Sequence, residues 1–475
     1  MTEAALTYDS LVVSPFELVN LLELTIAKKV NDHACLKFTG IVSEEVKDSY
    51  VLMCDARTTV KISQRNEQGT LSPLFCGIVR NIAVKAVRGV YHLEVEAVSH
   101  TFELDVKKRS RSFQNKNMTY PDLLNVVKAP YTGIDIIDEA TGGGAIGRFT
   151  MQYLETDWQF LTRLASRLRT VLIPSVVFDE PKFFFGLPDG SIKGAIKESH
   201  YQITKRMDPY RHTTQNTSAK VQENDYIYYE VESERVFQLG DTVQFKGSLL
   251  YVIEAFTEMK QGQLIHRYTL SSREGLRPNP YYNDQIIGVS IQGQVIAVQK
   301  DTVKVHLAID DAQQASDAHC FPYASVYTAE GNSGWYCMPE VGDHVRVYFP
   351  GNREEEGVAS SSVRQNSNEG ETNKLGNPDH KYFRTAAGKE LMMTPEEVVI
   401  TGKDGEIFIR LSESGGIEIS SSKEIKLVAK EDILMNAEQN ITISAKEKIT
   451  LTSNETSTIE MDGRTVISGL ELKTN

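Results

Sequence analysis

From Ile407 the chain divides, without a single insertion, into eight octads that read IFIRLSES, GGIEISSS, KEIKLVAK, EDILMNAE, QNITISAK, EKITLTSN, ETSTIEMD and GRTVISGL. The third position is Ile409, Ile417, Ile425, Ile433, Ile441 and Ile449, then Ser457 and Thr465. The fifth is apolar throughout: Leu411, Ile419, Leu427, Met435, Ile443, Leu451, Ile459 and Ile467. Side chains alternate across a strand, so these positions share one face, and each octad reads as a short strand plus a polar turn. Eight residues cover one side of a cross-section, whereas a single-chain β-helix takes on the order of 20 residues per coil. Three chains supplying one side each close a triangular prism with both columns inside. Each buried Leu or Ile contributes roughly 1.5–3 kcal/mol, less the entropy of ordering it. A lone chain leaves the stripe in water, an aggregation hazard. A hairpin meander with accidental spacing and an amyloid-like or tail-fibre repeat are the alternatives.

The remainder reads as mainly β. Leu22–Ile26, Tyr91–Val98 and Val243–Ala255 alternate or run apolar as strands do. Trp158, Leu161, Leu164, Ala165 and Leu168 recur at helical spacing, which predicts a helix over Asp157–Val171 capped by Thr156 or Asp157. A weaker helix follows Pro121. Ile286–Val298 and Val303–Ile309 predict a hairpin around Lys300-Asp301, and a turn at Pro339–Asp343 feeds the strand Val345–Phe349. Ser360–Asp379, rich in Ser, Asn, Gly and Glu, is a linker by composition. The expected domains are 1–278, a barrel at 283–364, a linker or neck at 365–385 and the repeat region at 386–475.

With 475 residues and 40 % of them hydrophobic, the chain has material for about three cores. Its 51 basic and 64 acidic residues leave a net charge of −13, which argues against nucleic acid as a partner. No apolar run reaches the roughly 18–20 residues of a membrane helix. The start, MTEAALTYDS, has no signal-peptide pattern, so assembly in the cytoplasm is expected. Cys35, Cys54, Cys76, Cys320 and Cys337 are odd in number and widely spaced, as reduced thiols are.

Three segments carry a resemblance. Met151–Ala165, MQYLETDWQFLTRLA, resembles the Q-Y-x-E-T-D-x-x-F-L-x-R-L segment of VgrG-type spike proteins, which occur in type VI secretion systems, extracellular contractile injection systems and phage-tail baseplates. Gly334–Val345 resembles the entry to that family's OB-fold, and RTAAGKEL at Arg384–Leu391 resembles the junction before its needle. The resemblance implies a phage hub-like domain of β-barrels with a few helices, an OB-fold barrel and a C-terminal trimeric intertwined β-helix. It implies a homotrimer that caps an inner tube, nucleates a baseplate and punctures a target envelope when a sheath contracts, touching the target membrane only transiently. Inner tube protein, baseplate proteins, effector cargo and a PAAR-like tip protein are the implied partners, with Leu470 and Leu472 as the docking rim for the tip. Ejection from the cell or particle on firing follows from the same resemblance.

Chemistry is weakly signalled. Gly142–Gly147 spells G-x-G-x-x-G but precedes a strand rather than a helix, so it reads as a loop and not a nucleotide site. Glu354-Glu355-Glu356 reads as solvated surface rather than the paired carboxylates of a glycosidase. Asp317-Ala318-His319-Cys320 lacks the second cluster that zinc needs, and no histidine follows His380. No Gly-x-Ser-x-Gly elbow occurs, and lone histidines such as His33 and His266 read as structural or surface residues. The expectation is a spike with no catalytic residue, metal or cofactor. A spike with cell-wall hydrolase activity and a trimeric adhesin or tail fibre are the alternatives.

Overall fold

The computed structural model describes residues 10–65, 69–197, 200–260, 262–329, 333–362, 374–453 and 457–461, with Gly463, Arg464, Val466 and Glu471 beyond them. The chain divides into two compact units, residues 1–366 and 367–475.

In the first unit the strands Leu11–Ser14, Thr59–Arg65, Leu71–Val87, Val90–Ser99, Cys35–Val42 and Asn20–Lys29 lie side by side in that order. The sheet continues through Ser248–Lys260, Gln263–Ser271, Ile227–Ser233 and Tyr201–Lys205. Asn20–Lys29 joins the two halves by pairing with Ser248–Lys260, Ala27 opposite Phe256. Each half buries its own core, Leu24, Ile26, Leu36 and Phe75 in one and Val231, Val243, Val252 and Leu270 in the other. Val243–Ala255, expected as one strand, is two. Lys246 and Gly247 both take positive φ and turn Thr242–Phe245 back onto Ser248–Lys260, a conformation glycine adopts without strain.

The strand period that buries Leu24 and Ile26 also buries Lys28, whose Nζ donates to Gln238 Oε1 at 3.1 Å. Burial pulls its pKa down to about 8, partly countered by Asp241. The folded value lies below the unfolded one, so the penalty is fully present below pH 8 and relieved as pH rises toward 10.5. Lys28→Met is therefore expected to raise the melting temperature most at pH 7. Its advantage over the parent should shrink between pH 8 and 10.5, as differential scanning calorimetry at both values would show.

A helix occupies Asp157–Arg167, ending four residues before the expected Val171, and a second spans Tyr120–Lys128. Arg169, at φ 53°, breaks the first helix, and Val171 is already in the approach to the strand Leu172–Ser175. The glycines at 142–147 form a loop, and the strand Thr150–Thr156 follows them. Five strands, Ser290–Gln299, Thr302–Leu307, Cys320–Ala324, Val358–Ser360 and His344–Tyr348, close a barrel. Its core of Val295, Val303, Val305, Phe321, Val345, Val347 and Phe349 also takes in Phe149 and Met151, so residues that precede the barrel in sequence complete its interior.

The second unit opens with an antiparallel meander: Lys381–Arg384, Glu390–Met393, Glu397–Lys403, Ile407–Ser412 and Gly416–Ser421. Among the described residues no strand is formed between Ser422 and Lys448, and a hairpin of Ile449–Ser453 with Ser457–Met461 follows.

Candidate functional site: the hub–barrel junction and the apolar blade

The segment MQYLETDWQFLTRL builds a buried ionic junction. Thr156 caps the helix: its Oγ1 accepts from Gln159 N at 3.2 Å, and Gln159 Oε1 accepts from Thr156 N at 3.2 Å. Helical spacing then sends Arg163 back over the preceding strand. Its Nε and Nη2 donate to the two oxygens of Glu155 at 2.7 Å each, and Nη2 also donates to Met151 O at 2.8 Å. Nη1 donates to Glu354 Oε1 at 2.5 Å, and Arg167 holds the other Glu354 oxygen. Burial disfavours the Arg163 charge, but Glu354 and Glu155 outweigh it and raise its pKa.

Glu354 corrects the expectation of a solvated acidic turn: it is fully buried. Arg163 and Arg167, both on the helix Asp157–Arg167, hold the first residue of the turn Glu354–Glu356. Glu355 pairs with Arg148 at 3.1 Å, and Glu356 stays half exposed. Glu354 and Glu355 thus clamp the barrel to the helix Asp157–Arg167 and to Arg148. Asp310 adds a second fastening, accepting from Ser112 N at 2.6 Å and Ser112 Oγ at 2.5 Å. Gln114 Nε2 donates to Val305 O at 3.1 Å.

Asp157, also fully buried, accepts from Arg109 Nε at 2.9 Å, Arg111 Nη2 at 2.7 Å and Tyr131 Oη at 2.7 Å. Burial, then the hydrogen bond to Asp157, pushes the Tyr131 phenol up to about 12. Trp158 Nε1 donates to Asn31 O at 3.1 Å, and His33 lies against the indole with ring centroids 4.6 Å apart. His266 is buried, its Nδ1 2.8 Å from Thr257 Oγ1, and burial lowers its pKa to about 4. The charged residues of the motif thus serve as fasteners, each satisfied by oppositely charged or hydrogen-bonding partners. Among the described residues no group of three His, Cys, Asp or Glu side chains could hold a metal ion, and all five cysteines are free thiols. His319 packs edge-on against Phe321, with centroids 4.8 Å apart.

The five-stranded meander Lys381–Ser421 of the second unit, the blade, holds the other site. Directly paired residues of an antiparallel sheet share a face. The register aligns Phe383, Leu391, Ile400, Ile409 and Ile419 in one row across five strands. Met393, Val398, Leu411 and Ile417 form a second row on the same face. The reverse face carries Glu390, whose carboxylate is 3 % exposed and accepts from Lys374 at 3.0 Å and Arg384 at 2.8 Å. These bonds outweigh burial and hold its pKa below the usual range.

The apolar face is bare. Ile409, Leu411, Ile417, Ile419, Ile425, Leu427, Ile433, Met435, Ile441, Ile443, Leu451 and Ile459 are between 38 and 73 % exposed in the single chain, and Ile449 is intermediate. The structure gathers Ile409, Leu411, Ile417 and Ile419 on one sheet face and sets Leu451 opposite Ile459 in the later hairpin. Ile467, Leu470 and Leu472 lie outside the described residues. Phe383, Leu391, Met393, Val398 and Ile400 were not read from the octads. The period-two alternation of ELMM and EVVIT carries them, without the eight-residue spacing.

Residues 48–168 match the family model of the phage tail baseplate hub (GPD). The E. coli c3393 protein, a component of the type VI secretion system with structural similarity to the T4 bacteriophage tail proteins gp27 and gp5, superposes with a TM-score of 0.52 at 12 % identity, covering 74 % of this chain and 99 % of its own. The lidded Francisella PdpA–VgrG complex gives a TM-score of 0.53 at 10 % identity over 84 % of this chain and 76 % of that one. Its lidless form gives 0.54 at 10 % identity, with 84 % and 93 % covered. No curated protein matches the chain. The mainly β fold with its small closed barrel is shared with these VgrG and tail-protein structures.

Proposed function

We infer that this chain is the central spike of a contractile injection machine, acting as a homotrimer and without catalysis. One observation carries the reading: an apolar stripe from Phe383 to Ile459 that the single chain leaves exposed. Between Ser422 and Lys448 the same alternation continues, but no backbone ladder is formed within the chain among the described residues. Backbone groups beside a dry column need partners, and two sister chains are the available source. Three copies then bury the columns and pair these octads across chains. The buried clamp at Glu354 fixes the barrel on the hub and gives a rigid path for thrust. In this reading the hub caps the inner tube and seats in the baseplate. The blade pierces the envelope, and a small tip protein covers its end at Leu470 and Leu472. No helix among the described residues is long and apolar enough to cross a membrane.

Hydrogen–deuterium exchange on the full-length protein tests the reading. Amides of residues 423–446 should exchange slowly, like those of the barrel strands. Exchange there as fast as in an unfolded chain would contradict it.

A further inference from the structure

A groove of about 1110 Å³ runs along the strand Lys108–Phe113, between it and the barrel loop that carries Asp310 and Asp311. Every residue from Lys107 to Gln114 except none lines it, so the contact is continuous. Successive side chains of a strand point to opposite faces, so a groove that meets all of them follows the strand's edge and not a face. On its other side the strand pairs with Thr150–Thr156, and the two form a sheet of their own. Among the described residues no third strand lies on the groove side, which leaves backbone donors and acceptors there for an incoming strand. Asp310 marks where that edge closes. Its carboxylate accepts from Ser112 N at 2.6 Å, the place a strand carbonyl would otherwise fill.

The groove is oppositely charged at its two ends. Lys107 and Lys108 stand exposed at one. Asp311, next to the fastened Asp310, stands exposed at the other, roughly 16 Å away at about 3.3 Å per residue. None of these three side chains has an ion-pair or hydrogen-bond partner among the described residues. The acidic wall is preformed: His306 Nε2 donates to Asp310 O at 2.9 Å, and Lys304 Nζ to Ala315 O at 2.5 Å. Val126, 39 % exposed, and the half-buried Ile309 also line the groove and offer an apolar patch to alternate side chains of a strand. A walled edge with a fixed charge pattern restricts what can pair with it, because a strand with like charge at either end is repelled.

We propose that this groove binds an extended segment of a second, different protein, which adds to Lys108–Phe113 as an antiparallel third strand. The existing pair is antiparallel, and sheets of one kind are favoured over mixed ones. That direction sets the segment's C-terminal end beside Lys107 and Lys108 and its N-terminal end beside Asp311. The segment therefore carries carboxylates at its C-terminal end, Lys or Arg at its N-terminal end and β-branched residues between. Of this chain's own edge strands, Tyr201–Lys205 and Lys381–Arg384 end in the wrong sign to lie beside Lys107, and Leu11–Ser14 carries no charge, so a second copy fits poorly. Backbone bonds supply affinity, and the end charges supply direction. The site lies in the first compact unit and uses neither the apolar columns nor the number of copies, so it stands or falls separately from the spike reading.

Fluorescence anisotropy of labelled peptides titrated with the full-length protein tests this. The peptide KKTVTVEE should bind with a Kd of about 100 µM or tighter, and the charge-reversed EETVTVKK at least about tenfold more weakly. A central proline, as in KKTPTVEE, removes a backbone donor and should weaken binding by about tenfold or more. Exchanging the end charges of the groove with Lys107→Glu/Lys108→Glu/Asp311→Lys should invert the preference between the first two peptides. These positions are exposed, so the melting temperature should stay close to the parent's. Should that variant not fold, the reversed and proline peptides on the parent protein still decide. No saturable binding of KKTVTVEE, equal or tighter binding of the reversed peptide, or a preference unmoved by the exchange overturns the proposal and leaves the spike reading untouched. A changed oligomeric mass in the exchange variant would put a second copy in the groove and overturn it as well.

Discussion

Ile443→Asp should convert the full-length protein from trimer to monomer. Ile443 is the fifth position of its octad, so a prism brings three copies of it into one layer. Three carboxylates would then face one another away from water. Each buried, unpaired charge costs several kcal/mol, so the layer loses on the order of 10 kcal/mol before the lost aliphatic burial is added. Protonation would relieve part of this, so the trimer should partly return at acidic pH. The neighbouring Thr442→Asp is the control, because Thr442 occupies the outward fourth position. Sedimentation velocity should show the trimer intact in the control and absent in Ile443→Asp. An unchanged trimer with unchanged melting in Ile443→Asp would leave the columns without the role assigned to them.

Glu354→Gln should be the most damaging single change in the hub and barrel. It removes the carboxylate shared by Arg163 and Arg167 and leaves the Arg163 guanidinium, 1 % exposed, with Glu155 as its one anionic partner among the described residues. Breaking a buried pair by removing one partner costs about 3–5 kcal/mol, since the remaining charge stays desolvated. Glu356→Gln, on the same turn but half exposed, should shift stability by well under 1 kcal/mol. Thermal melts of the two variants side by side check the contrast. Equal melting temperatures would mean the clamp does not hold hub to barrel.

The two predictions draw on features of unequal visibility in the sequence. The octads are visible because a period of eight with an apolar third and fifth position is a one-dimensional signal, and the structure gathers Ile409, Leu411, Ile417 and Ile419 of them on one sheet face. The hub helix was readable for the same reason, its apolar spacing and Thr156-x-x-Gln159 cap lying within a few residues. Glu354 was misread because its partners, Arg163 and Arg167, are 191 and 187 residues away, and only the fold brings the three together. Lys28 hid likewise: the strand alternation placed it on the buried face, while its acceptor Gln238 lies 210 residues on. Phe383, Met393 and Ile400 share a face with the octads, yet register across turns of different length, not a fixed repeat, put them there. The turn at Lys246-Gly247 was passed over because its flanks are apolar enough to read as one strand.

In the proposed trimer the aliphatic stripe takes its neighbours from two sister chains, and mass is the quantity that reports them. Sedimentation equilibrium on the dilute full-length protein should give three times the 53.2 kDa of one chain, with no dissociation across the accessible concentration range. A well-folded, soluble species of 53.2 kDa at every concentration would contradict the account at its base.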